Sequence, residues 1–322
     1  MPLIDHSTYK ATGIFRNGHL NTLYAALWRK VAGVAYRRER LATPDGDFID
    51  IDWSEVGSRK LLITLHGLEG NAGRPYMLGF AKFFNSKGWD VAALNFRGCS
   101  GEPNLQPRSY HIGDTGDLRL LVEHALGRGV YQHIALAGFS LGGNVALKYL
   151  GENPDAVPLQ IRAVAVFSVP CDIATANVEI DKWKNRLYRR RFMQSLNVKM
   201  RQKAERWPDV VRFPTRKPRH FRDFDNYFTA PLHGFANAAD YYSRCGSIRF
   251  IPHIRIPALM VNALDDSFLS PACYPVDIAE THPVFYLETP QHGGHVGFVT
   301  TRTGGVYWSE QRAWQFIENR LP

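Results

Sequence analysis

The chain has 322 residues, is 45% hydrophobic, and carries 39 Lys/Arg against 30 Asp/Glu for a formal net charge of +9. That length builds one sizeable core with an insertion, without a second independent domain, and no run reaches the ~20 apolar residues of a membrane span. The four cysteines (Cys99, Cys171, Cys245 and Cys273) form no C-x-x-C pair, which speaks against a structural zinc or disulfide framework and for a reducing, cytoplasmic setting.

Residues 1–36 read as an N-terminal arm with no charged-then-apolar leader. Within it Leu20, Leu23, Tyr24, Leu27, Trp28 and Val31 recur at helical spacing, so an amphipathic helix is expected, its apolar side packed on the protein's own sheet rather than on a membrane. Residues 38–52 read as a hairpin turning at Pro44-Asp45-Gly46. Apolar strands are expected at 61–65, 90–95, 133–137, 162–167, 257–262 and 284–287, with helical patterns between them at 75–87 and 114–126. Such alternation implies an α/β fold, a mostly parallel sheet with helices on both faces. Functional residues then gather at the carboxyl ends of the strands.

The alternation breaks between the fourth and fifth of these strands. Residues 37–170 and 246–322 form the expected framework, and 171–245 an insertion placed to cap it. Between residues 180 and 222 there are 15 Lys/Arg and 3 Asp/Glu, so the rest of the chain holds 24 and 27. Trp183, Leu187, Tyr188, Phe192, Met193, Leu196 and Met200 supply apolar positions at near-helical spacing there, with Arg186, Arg189, Arg190 and Arg191 among them. Two readings stay open: a cap whose apolar face covers an acyl cleft while its basic face attracts anionic lipid or substrate headgroups, or a helical cap with an ordinary solvated basic face. A single basic segment without a recognition module does not suggest nucleic acid.

The chemistry concentrates at Gly138-Phe139-Ser140-Leu141-Gly142-Gly143-Asn144. A strand precedes this G-x-S-x-G and a helical pattern follows, the context of a nucleophile elbow that lifts a serine hydroxyl above the sheet. A serine hydroxyl is protonated at neutral pH and needs a histidine to take its proton and a carboxylate to orient that histidine. Asp265-Asp266 follow one late strand and His292-Gly293-Gly294-His295 another, in the chain order Ser, Asp, His. His66-Gly67-Leu68-Glu69-Gly70 follows the strand at 61–65, where such enzymes hold a backbone oxyanion donor. The two donors are assigned to the N–H groups of Leu68 and Leu141.

With Asn95-Phe96-Arg97-Gly98-Cys99-Ser100-Gly101, Thr229 to Phe235, Asn262 to Phe268 and His292 to Phe298, these motifs resemble the YheT-like branch of the α/β-hydrolase superfamily from about Gly13 to the end. The resemblance implies an α/β-hydrolase fold with Ser140 as nucleophile, Asp266 as acid and His295 as base. Asp266 is preferred to Asp265 because the acid of that branch directly precedes the pair matching Ser267-Phe268. It also implies medium-chain acyl esters or glycerolipids as substrates. Other residues take plainer roles: His66 shaping the loop by hydrogen bonds, Asp114 a helix N-terminal cap or first-turn acid, Cys99 a buried thiol, His292 too short of further ligands for a metal. Ser100 is a weak rival nucleophile. No G-x-G-x-x-G or Walker motif is present, so no nucleotide cofactor is implied.

The expectation is a serine carboxylic-ester hydrolase working through an acyl-enzyme. Two alternatives share parts of it: an alcohol acyltransferase with the same triad, and a non-catalytic lipid-surface protein that no serine-directed fluorophosphonate would label.

Overall fold

A computed structural model describes residues 3–4, 6–301 and 304–321. The apolar runs become strands because helices cover both sides of the sheet they build, so each strand can be apolar on both faces. In β4 (Lys60–Leu65), Leu61, Ile63 and Leu65 face one hydrophobic cluster and Leu62 the other. The described residues contain nine strands: β1 (Leu3–Ile4), β2 (Arg37–Ala42), β3 (Phe48–Ser54), β4, β5 (Asp90–Asn95), β6 (His133–Phe139), β7 (Ile161–Phe167), β8 (Ala258–Val261) and β9 (Phe285–Glu288). Their order across the sheet is β1-β9-β8-β7-β6-β4-β5-β3-β2. β3 runs antiparallel to its neighbours β2 and β5; the other pairings described are parallel.

Each strand expected from the sequence is present within two residues of its place, and the hairpin turns where Gly46, at φ +74°, donates to the Thr43 carbonyl. β1 has no counterpart in the sequence reading, since two residues pairing beside β9 are too few to show a period. The helices are α1 (Gly18–Leu27), α2 (Pro75–Ser86), α3 (Gly116–Gly127), α4 (Leu141–Glu152), α5 (Ile173–Asp181), α6 (Arg186–Arg206), α7 (Phe221–Phe224), α8 (Ala230–Leu232), α9 (Ala238–Cys245), α10 (Val276–Thr281) and α11 (Trp308–Glu318). α3 and α4 pack on one face of the sheet, α2 and α11 on the other.

α1 departs from the expectation. Its buried residues are Asn21 and Ala25, while Leu20, Tyr24, Leu27 and Trp28 are exposed, Trp28 at 61%. The surface it meets is the loop after β9, a stretch of backbone with N–H groups to satisfy. Val299 N–H donates to Asn21 Oδ1 at 3.0 Å and His295 N–H to Thr22 Oγ1 at 2.8 Å. Gly294, at φ +57°, lets the chains close, since a Cβ there would lie 2.2 Å from the Gly18 carbonyl. A polar, small-residue face fits that loop better than leucines would.

Between β7 and β8 run α5 to α9, with a π-helical turn (Asp225–Thr229) joining α7 to α8. Ile180, Met193, Met200, Val211, Phe221, Phe224 and Phe228 build a separate apolar cluster that also takes in Phe268 and Leu68 from the framework. α9 instead packs into the main core through Ala238, Tyr241, Tyr242 and Cys245. α6 spans the loops after β4 and β5: Ser195 and Lys199 reach Glu69, Lys203 bonds the carbonyls of Gln106 and Arg108, and Arg206 that of Asn104.

Candidate active site

Ser140 sits where β6 ends and α4 begins, with φ +52° and ψ −117°. Such a backbone costs a non-glycine residue about 1–3 kcal/mol and persists only when its surroundings hold it. Here Ser140 N–H donates to the Phe167 carbonyl at 2.9 Å on the neighbouring strand, and the Ser140 carbonyl accepts from Gly143 and Asn144 at 3.0 and 3.1 Å. Gly142 is required by close approach: a Cβ there would lie 2.3 Å from the Leu65 carbonyl. The turn therefore leaves the Ser140 side chain half-buried at the carboxyl end of the sheet.

The loops after β8 and β9 bring two more groups to it. His295 Nε2 lies 3.0 Å from Ser140 Oγ, and His295 Nδ1 lies 2.8 Å from Asp266 Oδ2. The Asp266 carboxylate is fully buried, and its other oxygen accepts the Phe268 N–H at 3.0 Å. Phe268 stacks on the His295 ring with centroids 4.2 Å apart. Asp265 points elsewhere, accepting Gly294 N–H at 2.8 Å and facing His292 Nδ1 at 3.4 Å; burial raises its pKa. His292 thus has a structural partner in the loop.

Above Ser140 runs the loop after β4. Gly67 N–H donates to the Tyr76 hydroxyl at 3.0 Å, and burial lifts that phenol's pKa to about 12. Neither the Leu68 N–H nor the Leu141 N–H is hydrogen-bonded among the described residues. Leu141 opens α4, where helical geometry supplies no carbonyl for it. His66 is wholly buried with both nitrogens engaged: Nδ1–H donates to the Gly67 carbonyl at 2.7 Å and Nε2 accepts Phe96 N–H at 3.1 Å. Desolvation lowers its pKa to about 4, so it is a neutral brace at ordinary pH, as its place in the sequence suggested.

Several groups around the site escaped the sequence reading. Thr22 holds the His295 backbone, and Ser168 Oγ, at the end of β7, accepts Val296 N–H at 2.8 Å. Glu69 carries the bonds from α6 described above, while Tyr110 Oη accepts its N–H and donates to its carboxylate, both at 2.9 Å. The one available hint was position, since Ser168, like Ser140, directly follows an apolar strand. Asp114 is neither the cap of α3, which is Thr115, nor its first-turn acid: it precedes the helix, accepts Gly116 N–H at 3.3 Å and pairs with Arg108 at 2.9 Å. Asp117 is instead buried against Arg97, whose Nη2 lies 2.7 Å from it. The Ser100 carbonyl accepts from Arg38 Nη1 at 2.7 Å, and no hydrogen bond joins Ser100 to a histidine among the described residues. Cys99 is buried, which pushes its thiol up to about 11.

A serine hydroxyl, an imidazole and a buried carboxylate in one hydrogen-bonded chain, beside two free backbone donors, can move a proton and steady an oxyanion. A family model described as alpha/beta hydrolase fold matches residues 60–301. The chain belongs to the alpha/beta hydrolase fold family. YheT of Escherichia coli (strain K12), a protein assigned as an esterase, is 32% identical over 315 residues, which are 96% of this chain and 90% of that one. Phospholipase ABHD3 of Bos taurus is 30% identical over 279 residues, 83% of this chain and 67% of its own. Among solved structures, the Pyrococcus furiosus esterase Pf2001 matches with a TM-score of 0.61 at 17% identity, covering 91% of this chain and 97% of that one; this is a likeness of fold. This α/β hydrolase is therefore an enzyme of the esterase and lipase type. None of its described helices is long and apolar enough to cross a membrane.

Proposed function

We propose that this α/β hydrolase is a serine carboxylic-ester hydrolase in which Ser140 is the nucleophile, His295 the general base and Asp266 the residue that orients it. The observation that carries the reading is the Asp266–His295–Ser140 chain, at 2.8 and 3.0 Å, on a serine held at φ +52°. Ser140 Oγ attacks the ester carbonyl carbon while its proton passes to His295 Nε2. The new oxyanion rests on the N–H groups of Leu68 and Leu141. Each such donor typically lowers the barrier by roughly 3–4 kcal/mol. Collapse expels the alcohol, which takes the proton from His295. Water, deprotonated by His295, then attacks the acyl-enzyme and releases the acid and Ser140. Asp266 holds the imidazole in the tautomer that keeps Nε2 free to accept.

The substrates we propose are medium-chain acyl esters or glycerolipids. An apolar acyl group is supported by Phe268, which both stacks on His295 and joins Leu68, Tyr188 and Phe192 in the cap cluster; a glycerolipid is supported by the phospholipase among the relatives. We read 1–36 as an arm, 171–245 as a cap and the remainder as the catalytic domain. The reading extends to a cytoplasmic setting, supported by four buried, unpaired cysteines, and to peripheral contact with an anionic surface.

Hydrolysis of p-nitrophenyl esters from acetyl to palmitoyl, wild type beside Ser140→Ala, tests the mechanism. Loss of turnover in Ser140→Ala by about 10⁴-fold or more is expected, with the chain-length optimum sizing the acyl site. A folded Ser140→Ala protein with wild-type activity would end the proposal.

A further inference from the structure

Helix α6 carries cations on two faces, and the two are treated differently. Toward the framework, Lys199, Lys203 and Arg206 are bonded to Glu69 and to loop carbonyls. About half a turn from Lys199 on a helix of 3.6 residues per turn, Arg190 and Arg201, with Arg186 and Arg189 on the flank, meet Lys217 and Arg219 across a groove of about 830 Å³. No carboxylate lines it. Arg189 bonds the Asp181 carbonyl and pairs with its carboxylate at 3.6 Å, while Arg186 and Arg201 lie over the rings of Trp183 and Phe213. Arg190, Lys217 and Arg219 have no hydrogen-bond or ion-pair partner among the described residues.

Six cations line this groove and only Arg189 has a carboxylate beside it, so they repel one another, and an anion seated among them relieves that repulsion. The groove is not uniformly polar. Met193, Val198 and Phe213 contribute apolar walls, and Trp183 and Leu187 stand beside it 75% and 70% exposed. A merely solvated basic face has no need of an exposed Trp and Leu. The combination of clustered Lys/Arg with outward aromatic and aliphatic side chains suits the boundary between lipid headgroups and acyl chains. Free phosphate would use the charges and leave the apolar part idle.

We propose that the groove between α6 and residues 213–219 binds the phosphate headgroup of an anionic phospholipid in a bilayer, with Trp183 and Leu187 entering the interface beside it. This deepens the anionic-surface part of the proposed function and rests on that part alone, not on ester hydrolysis. Ser140, Asp266 and His295 do not line the groove, so the lipid held there is proposed as a docking partner, distinct from the molecule that is cleaved.

The test is sedimentation of the Ser140→Ala protein with vesicles of phosphatidylglycerol or of phosphatidylcholine. Binding to phosphatidylglycerol alone is expected, weakening as salt is raised. Adding Arg190→Glu, Lys217→Glu and Arg219→Glu should lower the partition coefficient by about a hundredfold or more, while the triple variant with Ser140 intact melts as wild type and turns over p-nitrophenyl butyrate at the wild-type rate. Trp183→Ala should weaken vesicle binding without changing its salt dependence. Equal binding to both vesicle types, or phosphatidylglycerol binding that survives the triple variant, would overturn the proposal. So would full displacement from vesicles by millimolar glycerol phosphate or by a short RNA, which would mark a soluble phosphate or nucleic-acid site. If the wild type hydrolyses no ester, the mechanism falls while the vesicle result keeps its meaning.

Discussion

The Lys199 ammonium meets the Glu69 carboxylate at 2.8 Å across the seam between helix α6 and the loop that carries Leu68. Ser195 of the same helix donates to the other carboxylate oxygen, and Tyr110 braces Glu69 from the framework side. Glu69 itself sits at φ +54° with a side chain only 7% exposed. Helix α6 is thereby fastened to the residue next to a proposed oxyanion donor.

Replacing Glu69 should therefore act on the reaction through Leu68. Glu69→Leu strands Lys199 and Tyr110 and is expected to cost about 1–3 kcal/mol of stability. The turnover number for short p-nitrophenyl esters should fall about tenfold or more, because the Leu68 N–H is no longer held in place. Pairing it with Lys199→Leu should restore part of the stability, as a double-mutant cycle would measure. Wild-type turnover in folded Glu69→Leu would show that the fastening does not matter to chemistry.

The two adjacent aspartates should behave differently. Asp266→Asn keeps the shape but offers His295 Nδ1 an amide, disfavouring the working tautomer, and activity should drop about 10⁴-fold. Asp265→Asn can still accept the Gly294 N–H, so less than about a tenfold loss is expected, from loop placement alone. Rates for the two purified variants decide between them. Equal losses would mean that Asp265 also acts on the proton relay.

His66 predicts a pH dependence of stability. Its folded pKa, about 4, lies below its ordinary 6.5 because burial disfavours the charged ring. Between those values the unfolded chain binds a proton that the folded one does not, so the fold loses stability as pH falls from 6.5 toward 4. Below that both states are protonated and no more is lost. The full effect is roughly 3 kcal/mol. Urea denaturation of wild type and His66→Gln should diverge across this window, and NMR of labelled histidine should find the His66 ring neutral at pH 5. A His66 signal that titrates near 6.5 would contradict the buried, doubly bonded geometry.

The two sides of α1 make opposite predictions. Asn21 is fully buried and bonds Tyr9, the Phe15 carbonyl and Val299 N–H. Asn21→Ala leaves several of these unpaired and should destabilise by about 2–4 kcal/mol. Trp28→Ser, on the exposed side, should change stability by no more than about 0.5 kcal/mol. Thermal or chemical melting that ranks them in reverse would place the apolar stripe, and not Asn21, against the protein.

Much of the framework was legible because its signals are local. The elbow needs only a strand, a five-residue turn and a helix, all within residues 133–152, and each parallel strand advertises itself as an apolar run. The residue types of the relay were equally plain, as was their order along the chain. The supports around them were not legible. Val296 N–H meets Ser168 across 128 residues, His295 N–H meets Thr22 across 273, and Val299 N–H meets Asn21 across 278. No spacing rule connects such pairs, and a serine, threonine or asparagine in isolation has many partners open to it.

By itself, then, the sequence determined the alternation of strands and helices, the turn that lifts Ser140, and the concentration of positive charge between residues 180 and 222. These follow from periodicity and backbone sterics acting over about ten residues. The resemblance already preferred Asp266 to Asp265, and only the tertiary structure decided that Asp265 turns to Gly294 and His292, that α1 buries Asn21 and exposes Trp28, and that Lys199 is paired while Arg190 has no partner among the described residues. Each of those outcomes depends on which unsatisfied group the fold brings within about 3 Å, and hydrogen bonds and ion pairs lose their selectivity beyond that reach.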